Sequence, residues 1–134
     1  MLGRGGGNGN QALDPSVARV TVAGAIGYAA DTVNGTYVKS TEFQNDKPVY
    51  AKVGDKARCL FYGTNAKWLF STVSNKDKNE TFARAYSTTT KLASPELETA
   101  AWRVSEKDAG GKTSFQDQIA VTFKAEVRRM TFGS

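Results

Sequence analysis

"ARCLFYGTNAKWLFSTV", residues 57–73, decides the fold: two apolar runs stand on either side of a Gly63-Thr64-Asn65 turn. Each run is shorter than a globular helix needs, and the residues between them are those of a β-hairpin. Successive side chains of a strand point to opposite faces, so two arms that are apolar at nearly every position require cover above and below. The hairpin is therefore predicted to be the centre of a sheet buried on both sides. Cys59 lies inside it. As the only cysteine of the chain it cannot form an intrachain disulfide, and its neighbours make it a small buried hydrophobe rather than a reactive thiol.

Upstream, "VARVTVAGA" (17–25) alternates, with Ala18, Val20 and Val22 opposite Arg19 and Thr21, as a half-buried strand does. "NGTYVKSTEFQNDKPVYAKVG" (34–54) carries turns at Asn34-Gly35 and at 44–46 around two further strands. Pro48 lacks an N–H, which places 47–53 at an edge or makes the proline an opening residue. Val49, Ala51 and Val53 are expected on one face, Tyr50 and Lys52 on the other. Downstream, the polar "SNKDKNET" (74–81) reads as an exposed loop, and "FARAYST" (82–88) as a strand with Phe82, Arg84 and Tyr86 alternating against Ala83 and Ala85.

Ser94-Pro95-Glu96 combines a cap, a proline at the first helical position and a carboxylate in the first turn, so one short helix should start there and end before Trp102. "WRV" (102–104) and, after Gly110-Gly111, "DQIAVTFKAEV" (117–127) supply the last strands, with Ile119, Val121 and Phe123 on one face. The predicted fold is mainly β: a single small antiparallel barrel or sandwich of seven or eight short strands with one short helix. It occupies residues 13–134. Residues 1–12 are a Gly/Asn-rich tail with too little apolar surface to join a core.

The order Asn34-Gly35-x-Tyr37, "NDKPVY" (45–50), "LFY" (60–62), "WLFST" (68–72), "ARAYS" (83–87), "SPEL" (94–97) and "WRV" (102–104) resembles a poorly characterised small β-rich repeat module found in large proteins of protists, algae and some marine animals. The resemblance covers about residues 17–124. It implies a β-rich domain appended to other domains, without an assigned activity. "SEKDAGGKTSFQDQ" (105–118) departs from it, being longer than the glycine turn expected there.

The chain has no histidine, which removes Ser–His–Asp and Cys–His catalysis and histidine metal sites. "GRGGGNG" (3–9) lacks the lysine and hydroxyl residue of a phosphate loop, and "VAGAIG" (22–27) lacks the dinucleotide fingerprint. Glu42, Asp46 and Glu106 could be paired for glycoside hydrolysis, but each lies in a polar stretch and reads as a solvated charge. No catalytic, cofactor or metal residue is assigned. The chain is expected not to be an enzyme.

Charge and aromatics define the binding candidates. Eighteen Lys and Arg against 13 Asp and Glu give +5 and favour an acidic partner. Lys76, Lys78, Lys124, Arg128 and Arg129 are the candidate phosphate contacts, although Asp77, Glu80 and Glu126 interleave with them. Tyr50, Tyr62 and Tyr86 are the candidate stacking rings for a sugar or base, while Trp68 and Trp102 are assigned to the core. The leading expectation is a protein-interaction or structural module, an accessory subunit of a larger assembly with a protein partner. RNA contact within a ribonucleoprotein and carbohydrate binding are the alternatives. With no apolar leader and no run near the roughly 20 residues of a membrane span, an intracellular, soluble chain is expected, an organellar location staying open. Asn34 and Asn79, which match the glycosylation pattern, read as turn residues.

Overall fold

A computed structural model describes residues 17–127 of the protein; the tail at 1–12 lies outside that range, as do Arg128 and Arg129. Of the described residues 47% are strand and 11% helical, so the mainly β reading holds. The elements are β1 (Val17–Ala23), α1 (Ala30–Val33), β2 (Gly35–Gln44), β3 (Lys47–Lys52), β4 (Arg58–Tyr62), β5 (Trp68–Thr72), α2 (Val73–Asp77), β6 (Ala85–Tyr86), a 3-10 turn at Pro95–Leu97, β7 (Trp102–Lys107), β8 (Thr113–Gln118) and β9 (Thr122–Val127). The strands form one antiparallel sheet in the order β8-β7-β6-β5-β4-β3-β2-β1-β9, curled into a half-barrel.

Nine strands rather than seven or eight are present among the described residues because "DQIAVTFKAEV" is broken. β8 ends at Gln118 and pairs with β7, whereas β9 begins at Thr122 and pairs with β1 at the far end of the sheet. Ile119, expected to share a face with Val121 and Phe123, sits at the corner between them and is 86% exposed. A link of three residues can join opposite ends of a sheet only if the sheet curls until those ends approach. Gly24 marks the approach: its φ is +92°, and a Cβ there would lie 1.8 Å from the Ala120 carbonyl oxygen.

Side-chain amides complete the seam. Ile26 N–H donates to Gln118 Oε1 at 3.0 Å, and Gln118 Nε2 donates to Ile26 O at 3.1 Å and to Glu106 Oε2 at 2.7 Å. Asn34 treats Ala25 in the same way, accepting from its N–H at 3.0 Å and donating to its carbonyl at 2.9 Å. The loop between β1 and α1 thus has strand-like partners supplied by side chains where no strand pairs with it. α1 ends on a similar device, since Tyr37 Oη and Lys52 Nζ donate to the carbonyls of Asp31, Thr32 and Val33.

Inside the half-barrel lie Val20, Val22, Tyr37, Tyr50, Leu60, Trp68, Phe70, Trp102 and Val104. Phe70 is the hub, with ring centroids of Tyr37 at 5.3 Å, Trp102 at 5.1 Å and Phe123 at 5.9 Å. The connection between β6 and β7 closes the open side: Trp68 Nε1 donates to Leu92 O at 3.0 Å, Pro95 is buried, and the 3-10 turn packs on β9. Glu98 holds this connection together, its carboxylate accepting from the N–H groups of Thr88, Thr89 and Ala100 at 2.8, 2.7 and 3.1 Å.

Outside β3–β5 a second cluster forms from Val49, Cys59, Phe61 and Leu69, with Val73, Ala83 and Tyr86 against it. The central hairpin is therefore covered on both faces, as its apolar arms require. Burial pushes the Cys59 thiol up to about 12, so it is an inert packing group. Part of the cover is α2, where the sequence reads as an exposed loop. Thr72 caps the helix by accepting from Asn75 N–H at 3.0 Å, and Lys76 is buried between Glu42 and Asp77. "FARAYST" is likewise shorter as a strand than expected: only Ala85 and Tyr86 pair.

Candidate functional site

β6 and β7 send Ala85, Trp102 and Val104 inward, which turns Tyr86, Arg103 and Ser105 outward. Register sets Ser105 opposite Phe115 of β8, and Tyr86 opposite Arg103. The rings of Tyr86 and Phe115 meet with centroids 5.0 Å apart and planes inclined by 56°. Ser105 is 4% exposed; its small side chain gives the outer face a floor between larger neighbours. Phe82, 68% exposed, and Arg84 bound the other side, forming a groove of about 430 Å³ that also reaches Lys67 and Thr113. A second hollow of about 280 Å³ adjoins it, sharing Phe82, Ala83 and Arg84 and adding Arg58 with Ser71, Thr72 and Asn75.

The electrostatics are one-sided. Arg58, Arg84 and Lys67 line the two hollows, and no carboxylate of the described residues does. None of the three takes part in an ion pair with a described residue, whereas Arg19, Lys76 and Arg103 do, with Glu126, with Glu42 and Asp77, and with Asp117. Two of the unpaired cations rest on rings instead. Lys67 Nζ lies 4.8 Å from the Tyr86 centroid, and the Arg84 guanidinium lies 5.0 Å from that of Tyr28, a ring that Lys107 also approaches at 4.4 Å.

The stacking candidates separate. Tyr86 lines the groove. Tyr50 is 2% exposed and meets Trp68 edge-on at 6.0 Å, so it is a core ring and not a ligand platform; burial raises its phenol. The error has a simple origin: β3 is buried on both faces, Val49 outward and Tyr50 inward, so alternation could not tell which neighbour was exposed. Tyr62 packs edge-on against Trp68 at 5.4 Å, with Lys47 Nζ 5.6 Å from its centroid.

The phosphate-contact candidates among the described residues, Lys76, Lys78 and Lys124, do not converge. Lys76 is 3% exposed, which corrects its placement on a solvated basic face. Burial pulls its ammonium down, but hydrogen bonds and charge from Asp77 and Glu42 outweigh that and hold it above its ordinary value. Lys78 follows it, exposed, at the end of α2 beside β4 and β5. Lys124 is exposed on β9, an edge strand five places from β5 in the sheet order. Arg128 and Arg129 lie outside the described residues. Of the carboxylates, Glu42 clasps Lys76, Glu106 accepts from Gln118, and Asp46 is a turn residue with φ +69°.

Lys67, Arg58, Ser105, Thr113 and Phe115 were not singled out from sequence. One signal was present: "FARAY" supplies Phe82, Ala83, Arg84 and Tyr86 to the groove, although alternation does not select them, since Ala83 lines it too. Among the described residues no three acidic or thiol side chains gather as metal ligands, and no helix is long and apolar enough to cross a membrane. Comparison with protein-family models, curated proteins and solved structures finds no match to this chain.

Proposed function

We propose that this chain is a non-catalytic protein-interaction module that docks an extended segment of a partner in the groove of Phe82, Arg84, Tyr86, Ser105 and Phe115, as an accessory piece of a larger assembly. The observation that carries this reading is a half-buried ring pair, Tyr86 and Phe115, lining a groove beside an exposed Phe82, on a sheet where Phe61 and Leu69 are sealed under neighbouring elements. An aromatic centre with arginine beside it and hydroxyls at its margin is the composition of an interface hot spot.

Geometry favours a peptide over the other two ligand classes. A sugar or base stacks on a flat, free ring face, but Tyr86 has Lys67 over it and Phe115 inclined against it. A phosphate track needs cations in a row, and of the candidates for that role among the described residues Lys76 is buried and Lys78 and Lys124 are dispersed. The test is a photocrosslinking benzoylphenylalanine placed at position 113 in a native extract. A protein adduct should form, disappear in the Tyr86→Ser/Phe115→Ser variant and persist in Lys124→Gln. An adduct to nucleic acid or polysaccharide, or one indifferent to the groove, contradicts the proposal.

A further inference from the structure

Resting on that reading, we infer that the docked segment is acidic: an extended peptide that sets an aromatic or branched apolar side chain on Tyr86 and Phe115 and carboxylates toward Arg84, Arg58 and Lys67. Of the Asp and Glu among the described residues, none lines either hollow. Cations left without anions beside an uncovered apolar surface are a complementary charge surface for a partner.

Preorganisation strengthens the inference. Arg84 against Tyr28 and Lys67 against Tyr86 are side chains already held near one place, so less freedom is lost when an anion binds. Distance sets the segment's length. From Arg58 on β4 to Phe115 on β8 the sheet order takes four steps, about 19 Å at roughly 4.8 Å per strand, which about six extended residues span. Cross-strand partners along the way are Ser71 by Phe70↔Ala85 and Ser105 by Ala85↔Val104, both small; Ser71 Oγ donates to the Phe82 carbonyl, so residues 82–84 form the rim that the two hollows share and a bound segment must cross.

Fluorescence anisotropy at near-physiological salt tests this with the whole chain. The probes are a labelled peptide of about eight residues with one phenylalanine and about four carboxylates, its amide counterpart with Gln and Asn in place of Glu and Asp, and a random single-stranded RNA of similar length. The acidic peptide should bind at least about tenfold tighter than the amide form, as expected when charge-assisted hydrogen bonds carry part of the affinity. Arg84→Gln and, separately, Arg58→Gln should each weaken it severalfold, with circular dichroism confirming that both variants fold. Lys124→Gln should leave it unchanged. Equal binding of the acidic and amide peptides overturns the acidic inference but spares the groove, provided Tyr86→Ser/Phe115→Ser abolishes both. Absence of acidic-peptide binding overturns the inference, and tighter RNA binding overturns the docking reading with it.

Discussion

The two faces of β5, β6 and β7 are made of alternate residues in the same short strands, yet they are built to different ends. Inward, Trp68, Phe70, Ala85, Trp102 and Val104 are sealed, and each large ring meets another ring edge-on or stacked. Outward, Leu69 is sealed too, but Tyr86 and Ser105 border a groove with Phe82 exposed beside it. Burial of the inner set supplies the free energy of folding, because each large apolar side chain removed from water contributes about 1.5–3 kcal/mol. The outer set contributes less to the fold than its ring content suggests. It is on that face that Phe82 stays exposed and Tyr86 and Phe115 only half-buried.

The sharpest way to break this contrast is to truncate one ring on each side. Trp68→Ala removes a fully buried indole, its hydrogen bond to Leu92 and its edge contacts with Tyr50 and Tyr62. The expected loss is about 3–5 kcal/mol in urea unfolding, a large share of a domain's total stability. A variant as stable as the parent would move Trp68 out of the core.

A second test concerns how the inner face is closed. Burial tends to raise the Glu98 carboxyl, but hydrogen bonds from Thr89, Ala100 and Thr88 outweigh it and hold the group below its ordinary value. A carboxyl depressed in the folded state binds fewer protons folded than unfolded. Its stabilisation is therefore complete at neutral pH and is lost as pH falls through about 4 and below. Glu98→Gln should lower the unfolding free energy from urea titration at pH 7 by about 1–2 kcal/mol for the weakened hydrogen bonds, and should narrow the difference between pH 7 and pH 3. An unchanged acid limb would show that the connection between β6 and β7 does not depend on this clamp.

The smallest effect is expected on the outer face. Phe115→Ser, at a half-buried position on an edge strand, should cost about 1 kcal/mol or less, because little apolar surface is lost from the interior. A loss comparable to that of Trp68→Ala would make the groove part of the core.

What the sequence made legible follows the same division. The central hairpin, the alternation of β1 and the turn at Pro95 could be read because each is local: a run, a period or a proline at a first helical position; the expected cap is not made, since the Ser94 hydroxyl turns to the Glu96 carboxylate. The breaking of β8 from β9 was not legible, since it depends on Gly24 meeting Ala120 across the sheet. Nor was the burial of Lys76, because a lysine neutralised by Glu42 from a strand 34 positions away looks in sequence like any solvated lysine. The groove lies between these cases. Four of its residues, Phe82, Ala83, Arg84 and Tyr86, stand in "FARAY", but Ser105 and Phe115 join them only through strand register, and Lys67 from the turn before β5.

The most direct test of the account is a residue-by-residue map of binding by NMR, titrating the acidic peptide into isotope-labelled protein and following backbone amides. The predicted result is that the perturbed amides cluster at 65–67, 81–86, 105 and 113–115, with weaker changes at Arg58 and Ser71, while β1 and β9 stay unmoved. Perturbation centred on Lys124 and Lys78, or on the turn at Asn45 and Asp46, with the groove silent, would contradict it.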